Sequence, residues 1–337
     1  MDRSVYGKVT VKGMIYSFDQ KDTHFKDFID LLSGHSLDYE VIERDKVVVR
    51  IFGMVNQELR EKLDQVSGGA NKLVWKKQSE ASLNQTPRRA RRTLFIAGPC
   101  SVESDEQIDA AAHFLSGLGI KYLRGGTFKP RTQSSSFQGL GKIGLKLMAD
   151  AAARYGMKVV TELMDKSQLD DVAQYADVIQ VGSRNMFNYS LLTALGAVDK
   201  PILLKRGMAA TIDEWVHSAD YIRSGGNQRI VLCERGIRTF EPRTRYTLDV
   251  LAIPLARELS GLPVIADASH AAGSRNLVPY LVKAALAAGA DGIMVEVHPD
   301  PDRALSDGAQ SLGFDDFKSL FDEMITAGLA TRPDFDI

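Results

Sequence analysis

Cysteine is scarce in this chain, with only Cys100 and Cys233 among 337 residues. So few exclude a disulfide-stapled scaffold and suit a reducing compartment, so a cytoplasmic location is expected. Net charge is lacking as well, because 42 Lys and Arg nearly cancel 43 Asp and Glu. No global field then draws the chain to nucleic acid or an anionic membrane, and neither partner is expected. No apolar run is long enough to span a bilayer. The opening MDRSVYGKVTVKG has no apolar stretch of the signal-peptide kind, so no leader is expected. What the chain does have is apolar side chain, 44% of its residues, enough for a sizeable core. At this length two domains, or one large domain with an appendage, are expected.

Periodicity divides the chain in three. Residues 1–78 read as strand (8–16), helix (23–33), strand (37–43), strand (46–52), helix (56–66) and strand (71–77). That βαββαβ order predicts a small α+β ferredoxin-like domain. It carries no polar constellation suited to chemistry, so a regulatory role is expected of it. SEASLNQTPRRARRT, 79–93, has no apolar period and four arginines, and reads as a basic linker. Over 94–332, eight apolar runs alternate with helix-period stretches such as TIDEWVHSADYIRSG: TLFIAG, KYLRGG, KVVTE, DVIQVG, PILLKRG, RIVLCERG, PVIADASH and GIMVEVH. Eight strand–helix units predict a (β/α)8 TIM barrel. A doubly wound dinucleotide fold fits less well, because AGPCSVES is not G-x-G-x-x-G.

Barrel enzymes place their chemistry at the C-terminal ends of the strands, and charge gathers there. Cys100 follows run one, Arg124 and Glu162 close runs two and three, and Gln180 and Arg184 mark run four. Lys205 and Arg206, Glu234 and Arg235, Asp267 and His270, and Glu296 and His298 end the last four. Two subsets separate by chemistry. Cys100, His270 and Glu296 lie on runs that adjoin when a barrel closes, and Asp307 lies in the loop after the last. Their mixed S, N and O donors suit a divalent transition metal (Mn2+, Fe2+, Co2+ or Zn2+) better than Mg2+ or Ca2+. Each alone has a plainer reading, a core cysteine or a hydrogen-bonded histidine, and Cys233 keeps it. The second subset is Arg124, Lys129, Arg131, Arg184, Lys205 and Arg235. Six cations at one mouth repel one another unless a ligand brings several negative charges. The plainer alternative pairs them with acidic neighbours on the rim. The long connection RGGTFKPRTQSSSFQGLG adds Thr132 and the hydroxyls of Ser134 to Ser136.

AGPCSVES, RGGTFKPRT with SFQGLG, LLKRG, LCERGIRTFE, DASH and EVHPDPDRALSDG together resemble the 3-deoxy-D-arabino-heptulosonate 7-phosphate (DAHP) synthases of the type I beta branch. The resemblance runs from residue 94 to about 325. It implies metal-dependent aldol-type condensation of phosphoenolpyruvate with D-erythrose 4-phosphate, the first step of the shikimate pathway. By similarity, Arg124, Lys129, Arg184, Lys205 and Arg235 hold phosphoenolpyruvate. Lys129, Pro130, Arg131 and Thr132 hold erythrose 4-phosphate, with Arg131 on its phosphate, and Cys100, His270, Glu296 and Asp307 ligate the metal. Lys129 is the implied proton donor, and Glu162 and Asp267 are candidates to position water or orient the metal-site groups. The resemblance further implies feedback inhibition by tyrosine or phenylalanine through the N-terminal domain, and a homotetramer. The basic linker is a candidate docking site for a chorismate mutase. This chain departs from the family at Gln133, Ser134 and Ser135 after KPRT, at Ser183 and at Ala268, and no departure removes a cation or a ligand. Two other readings stand beside it. A 3-deoxy-D-manno-octulosonate 8-phosphate synthase is disfavoured by KPRT, and a non-catalytic regulatory barrel by its complete ligand set.

Overall fold

A computed structural model describes residues 14–19, 23–35, 37–43, 46–52, 57–68, 71–74, 93–129 and 137–331. The chain forms two compact units, Met1–Pro87 and Arg88–Ile337. In the first, β1 (Met14–Asp19), α1 (His24–Ser33), β2 (Asp38–Glu43), β3 (Lys46–Phe52), α2 (Gln57–Val66) and β4 (Asn71–Val74) follow one another. The sheet order is β2-β3-β1-β4, with antiparallel pairing, as in a split βαβ arrangement. Residues two apart share a face of a strand. Tyr16 and Phe18 of β1 and Val47, Val49 and Ile51 of β3 accordingly bury together against Phe28, Leu32, Leu59 and Leu63 of the helices. The Tyr16 hydroxyl donates to Asp64 Oδ1 at 2.7 Å. Strand β1 runs on to Asp19. Residues 8–13 and 75–77 of the expected strands, and linker residues 79–92, lie outside the described residues.

All eight expected runs of the second unit are strands: β5 (Leu94–Gly98), β6 (Tyr122–Arg124), β7 (Lys158–Leu163), β8 (Val178–Val181), β9 (Ile202–Lys205), β10 (Ile230–Glu234), β11 (Val264–Asp267) and β12 (Gly292–Glu296). They close a barrel in the order β10-β11-β12-β5-β6-β7-β8-β9. Helices α3 (Asp105–Gly117), α4 (Gly141–Arg154), α5 (Leu169–Tyr175), α6 (Tyr189–Gly196), α7 (Ile212–Ser224), α8 (Ala252–Ser260), α10 (Val278–Ala287) and α11 (Phe314–Thr326) connect and follow the strands, and a short α9 (Ala268–Ala272) follows β11. Alternation splits each strand between two cores. Leu94, Ile96, Tyr122, Val160, Val178, Leu203, Val231, Cys233, Ile265 and Met294 form one buried cluster, the barrel interior. Their outward neighbours join the helices in two larger clusters. Cys233 is core, as its surroundings in sequence predict. Among the described residues no helix is long and apolar enough to cross a membrane.

Candidate active site

Counting two residues up from the apolar interior lands on polar side chains at seven of the eight strands. Arg124 follows Tyr122, Glu162 follows Val160, Gln180 follows Val178, Lys205 follows Leu203, Arg235 follows Cys233, Asp267 follows Ile265 and Glu296 follows Met294. Inward positions recur every second residue, so these seven form one further layer at the C-terminal end. The same count removes two strand-end charges from the mouth. Arg206 and Glu234 fall on the outward parity and pair with each other at 3.0 Å, and Arg206 also pairs with Asp249 at 2.9 Å. Burial raises the Glu234 pKa, and Arg206 opposes that.

The sulfur and carboxylate oxygens of Cys100, Glu296 and Asp307 lie within 4.8 Å of one another. His270 Nε2 stands 3.7 Å from Glu296 Oε1 and 3.8 Å from Asp307 Oδ2. Local structure places each of them. Gly126 N–H donates to the Cys100 carbonyl at 3.1 Å, tying the turn after β5 to the one after β6. Asp267 caps α9 by accepting the His270 N–H. Its other oxygen lies 2.8 Å from His270 Nδ1, which turns Nε2 toward the carboxylates. Asp307 sits at φ 50, in the left-handed region. The next residue must be glycine, because a Cβ at Gly308 would come within 2.2 Å of the Pro301 carbonyl oxygen. Glu296 is held at both oxygens, by Arg124 at 2.8 Å and Gln310 at 2.6 Å.

Electrostatics favour the charged form of the Glu296 and Asp307 carboxylates and the neutral form of His270 and Cys100. Burial keeps the His270 pKa below the ordinary imidazole value, though Asp267 and Glu296 oppose it. Burial pushes Glu296 up, but His270 and Arg124 outweigh that and hold it low. Burial, and then Glu296, push the Cys100 thiol up to about 11 despite Lys129. That thiol donates to Asp307 Oδ2 at 3.3 Å. Ligands at about 2.0–2.3 Å from one ion stand roughly 3–4 Å apart, a spacing met by His270 Nε2 with Glu296 and Asp307 and by Cys100 Sγ with Asp307.

The cations divide into paired and unpaired. Arg124 is paired with Glu296, and Lys205 with Asp267 at 2.5 Å, both acids being buried rather than on the rim. Lys129 Nζ lies 3.0 Å from Cys100 Sγ and 2.9 Å from its carbonyl oxygen. Among the described residues, Arg184 and Arg235 have no carboxylate partner. They line a cavity of about 110 Å³ with Lys129, Lys205, Glu162 and Ser183. Glu162 accepts from Gln180 at 3.0 Å. Its other oxygen overlies Gly182, where a Cβ would come within 2.0 Å. Pro130, Arg131, Thr132, Gln133, Ser134 and Ser135 lie outside the described residues. The base of their loop is closed by Lys129 N–H on Gln138 O at 2.9 Å and Gly141 N–H on Thr127 O at 2.8 Å. Ala268 is buried as the first residue of α9.

Three residues at the mouth escaped the sequence reading. Arg245 donates to Gln310 at 2.6 Å and lies 3.5 Å from Asp307. Tyr246 has the Arg235 guanidinium 4.1 Å from its ring centre. Burial pushes its phenol up, but Arg235, then Arg245 and Arg238, outweigh that and lower its pKa. Arg245, Tyr246 and Gln310 lie a few residues beyond LCERGIRTFE and EVHPDPDRALSDG, and that proximity is their only signal.

A family model described as the DAHP synthetase I family matches residues 85–329. A phospho-2-dehydro-3-deoxyheptonate aldolase of Thermotoga maritima is 57% identical over 230 residues, 68% of each chain. A 2-dehydro-3-deoxyphosphooctonate aldolase of Syntrophotalea carbinolica is 34% identical, covering 68% of this chain and 89% of the relative. The crystal structure of the DAHP synthase of Thermotoga maritima is similar at TM-score 0.71 and 43% identity, over 94% of this chain and 97% of that one.

Proposed function

The chain belongs to the DAHP synthetase I family, and from that premise we propose that its barrel joins phosphoenolpyruvate to D-erythrose 4-phosphate and releases inorganic phosphate. One observation carries the reading: a Cys100–His270–Glu296–Asp307 donor cluster shares a mouth with Lys129, Arg184, Lys205 and Arg235. The donors would hold a divalent transition ion, which when bound supplies a Lewis acid that polarises the aldehyde. Arg184 and Arg235, with no carboxylate partner among the described residues, take the phosphate of phosphoenolpyruvate. Arg124 and Lys205 take its carboxylate, each shared with a buried acid. Lys129, Pro130, Arg131 and Thr132 hold erythrose 4-phosphate, with Arg131 on its phosphate.

The enol carbon then bonds to the aldehyde carbon. The aldehyde oxygen gains the electron pair of the broken π bond and takes a proton from Lys129, whose ammonium lies against Cys100. Water adds at C2, left electron-poor when its π pair forms the new C–C bond. One water proton restores the donor and the other leaves with phosphate, which departs with the C–O bonding electrons as the C2 carbonyl forms. Glu162 orients that water, and Asp267 keeps His270 and Lys205 in place. Holding both substrates in register contributes much of the rate. The N-terminal unit senses tyrosine or phenylalanine, and the enzyme works as a homotetramer. The likeness to the DAHP synthase of Thermotoga maritima spans 94% of the chain, more than the barrel alone.

The test is phosphate release from phosphoenolpyruvate with erythrose 4-phosphate or arabinose 5-phosphate, each with and without EDTA and then added Mn2+. Turnover with erythrose 4-phosphate, lost on chelation and restored by Mn2+, is expected. Turnover with arabinose 5-phosphate alone would overturn the substrate assignment, and full activity in EDTA would overturn the metal.

A further inference from the structure

We propose that Tyr246 is a positioning residue whose ring holds the Arg235 guanidinium in the orientation that receives the phosphate of phosphoenolpyruvate. This rests on the reading of Arg235 as a phosphate-binding residue.

Arg235 is 4% exposed. Arg124, Lys205 and Arg206 are as deeply buried, and each is paired with a carboxylate. Among the described residues Arg235 has none. Its hydrogen bond to the Gly236 carbonyl is long, at 3.4 Å. A buried cation without a counter-charge is costly, so something else must keep this one in place. The ring of Tyr246 lies 4.1 Å from the guanidinium carbon, well inside the reach of the attraction between a cation and an aromatic face. A guanidinium laid on a ring uses its face there and keeps its N–H edge free for an oxyanion. Both residues line the same cavity.

The seat of Tyr246 is built from several sides. Its N–H donates to Ala271 O at 3.1 Å, and its hydroxyl to Met208 Sδ at 3.1 Å. A bridge between Ile237 and Thr247 closes the loop that carries it. Gly236 stands at φ +89, and a Cβ there would come within 2.7 Å of the Tyr246 Cβ, so only glycine lets the tyrosine approach. The Gly236 N–H is fixed by Glu234 at 2.7 Å, and Glu234 by Arg206. The outward ion pair thereby sets the backbone that aims the inward arginine.

The experiment measures phosphoenolpyruvate binding by calorimetry and steady-state kinetics on the full chain, for Tyr246→Phe, Tyr246→Leu, Tyr246→Ala and Arg235→Ala. Phe keeps the aromatic face, while Leu keeps apolar bulk without one. With the ring as holder, Phe binds within about twofold of the parent, and Leu and Ala weaken binding about tenfold. KM for phosphoenolpyruvate rises in step while kcat changes less. Tyr246→Leu adds nothing in an Arg235→Ala background. If Arg235→Ala is weakened but Tyr246→Leu binds like the parent, the proposal is overturned. It is overturned too if Phe is as weak as Leu, which would put the role in the hydroxyl. If Arg235→Ala itself binds like the parent, the phosphate reading of Arg235 fails instead. Thermal melts of all variants identify any loss of fold, and the Phe and Leu pair decides the matter if Ala does not fold.

Discussion

Gln310 stands between the two carboxylates proposed as metal ligands. Its amide N–H₂ holds Glu296 Oε2, and its carbonyl accepts from Arg245, which also reaches Asp307. With partners at both ends the amide cannot flip, and both carboxylates keep their aim. Gln310→Ala should weaken Mn2+ binding about 10–100-fold, as loss of a partner that orients a metal ligand commonly does. Competition against a fluorescent chelator on metal-free protein would measure this, and unchanged affinity would refute it. Gln310 and Tyr246 could not be found in the sequence, because an amide and a phenol carry no charge to mark them and their work depends on partners far away in the chain. Cys100, His270, Glu296 and Asp307 were legible as a group because a thiol, an imidazole and a carboxylate end runs that adjoin when the barrel closes, with a second carboxylate in the loop after the last. Arg206 and Glu234 looked the same as Lys205 and Arg235 there. Strands apolar on both faces show no alternation, so the parity that separates them could not be read.

At the scale of elements, the loop between β6 and α4 is held at its base by Gly139. This residue sits at φ +89, and a Cβ would stand 2.2 Å from the Thr127 carbonyl oxygen. Gly139→Ala should strain that base. It is expected to raise KM for erythrose 4-phosphate several-fold and leave phosphoenolpyruvate affinity near the parent's. An equal loss for both substrates would mean that the damage spreads beyond the loop. The start of α7 offers a control. Thr211 and Glu214 form a reciprocal capping box, and Thr211→Ala should cost about 1 kcal/mol of stability, seen as a lower Tm with both KM values unchanged. The eight barrel strands were legible as elements because each is a short apolar run between turn residues. Boundaries were less so: the expected first strand, 8–16, extends to Asp19, since Phe18 buries beside Tyr16 and pairing with β3 continues to Asp19.

At the scale of the molecule, two units with separate cores share one chain. Residues 88–337 alone should keep condensation activity and lose inhibition by tyrosine or phenylalanine, whereas inhibition that survives the truncation would place the effector elsewhere. The first unit should also have its own alkaline limit. Burial, and then Asp64, raise the Tyr16 phenol well above the ordinary value. A raised pKa in the fold stabilises it fully below the unfolded value of about 10, and that contribution is lost as pH climbs past it. Urea melts of this unit between pH 8 and 11 should lose stability at the upper end, and Tyr16→Phe should flatten the slope. The plan of the molecule was legible, because short apolar runs and stretches of helical period alternate so regularly. What each strand end faces was not, and that has a further consequence. The inward layer is addressed by count rather than by chemistry: one residue added within β9 would turn Lys205 out and Arg206 in. The barrel can therefore drift in composition along its strands far more freely than in length, and natural or engineered insertions belong in the loops beyond the last counted residue.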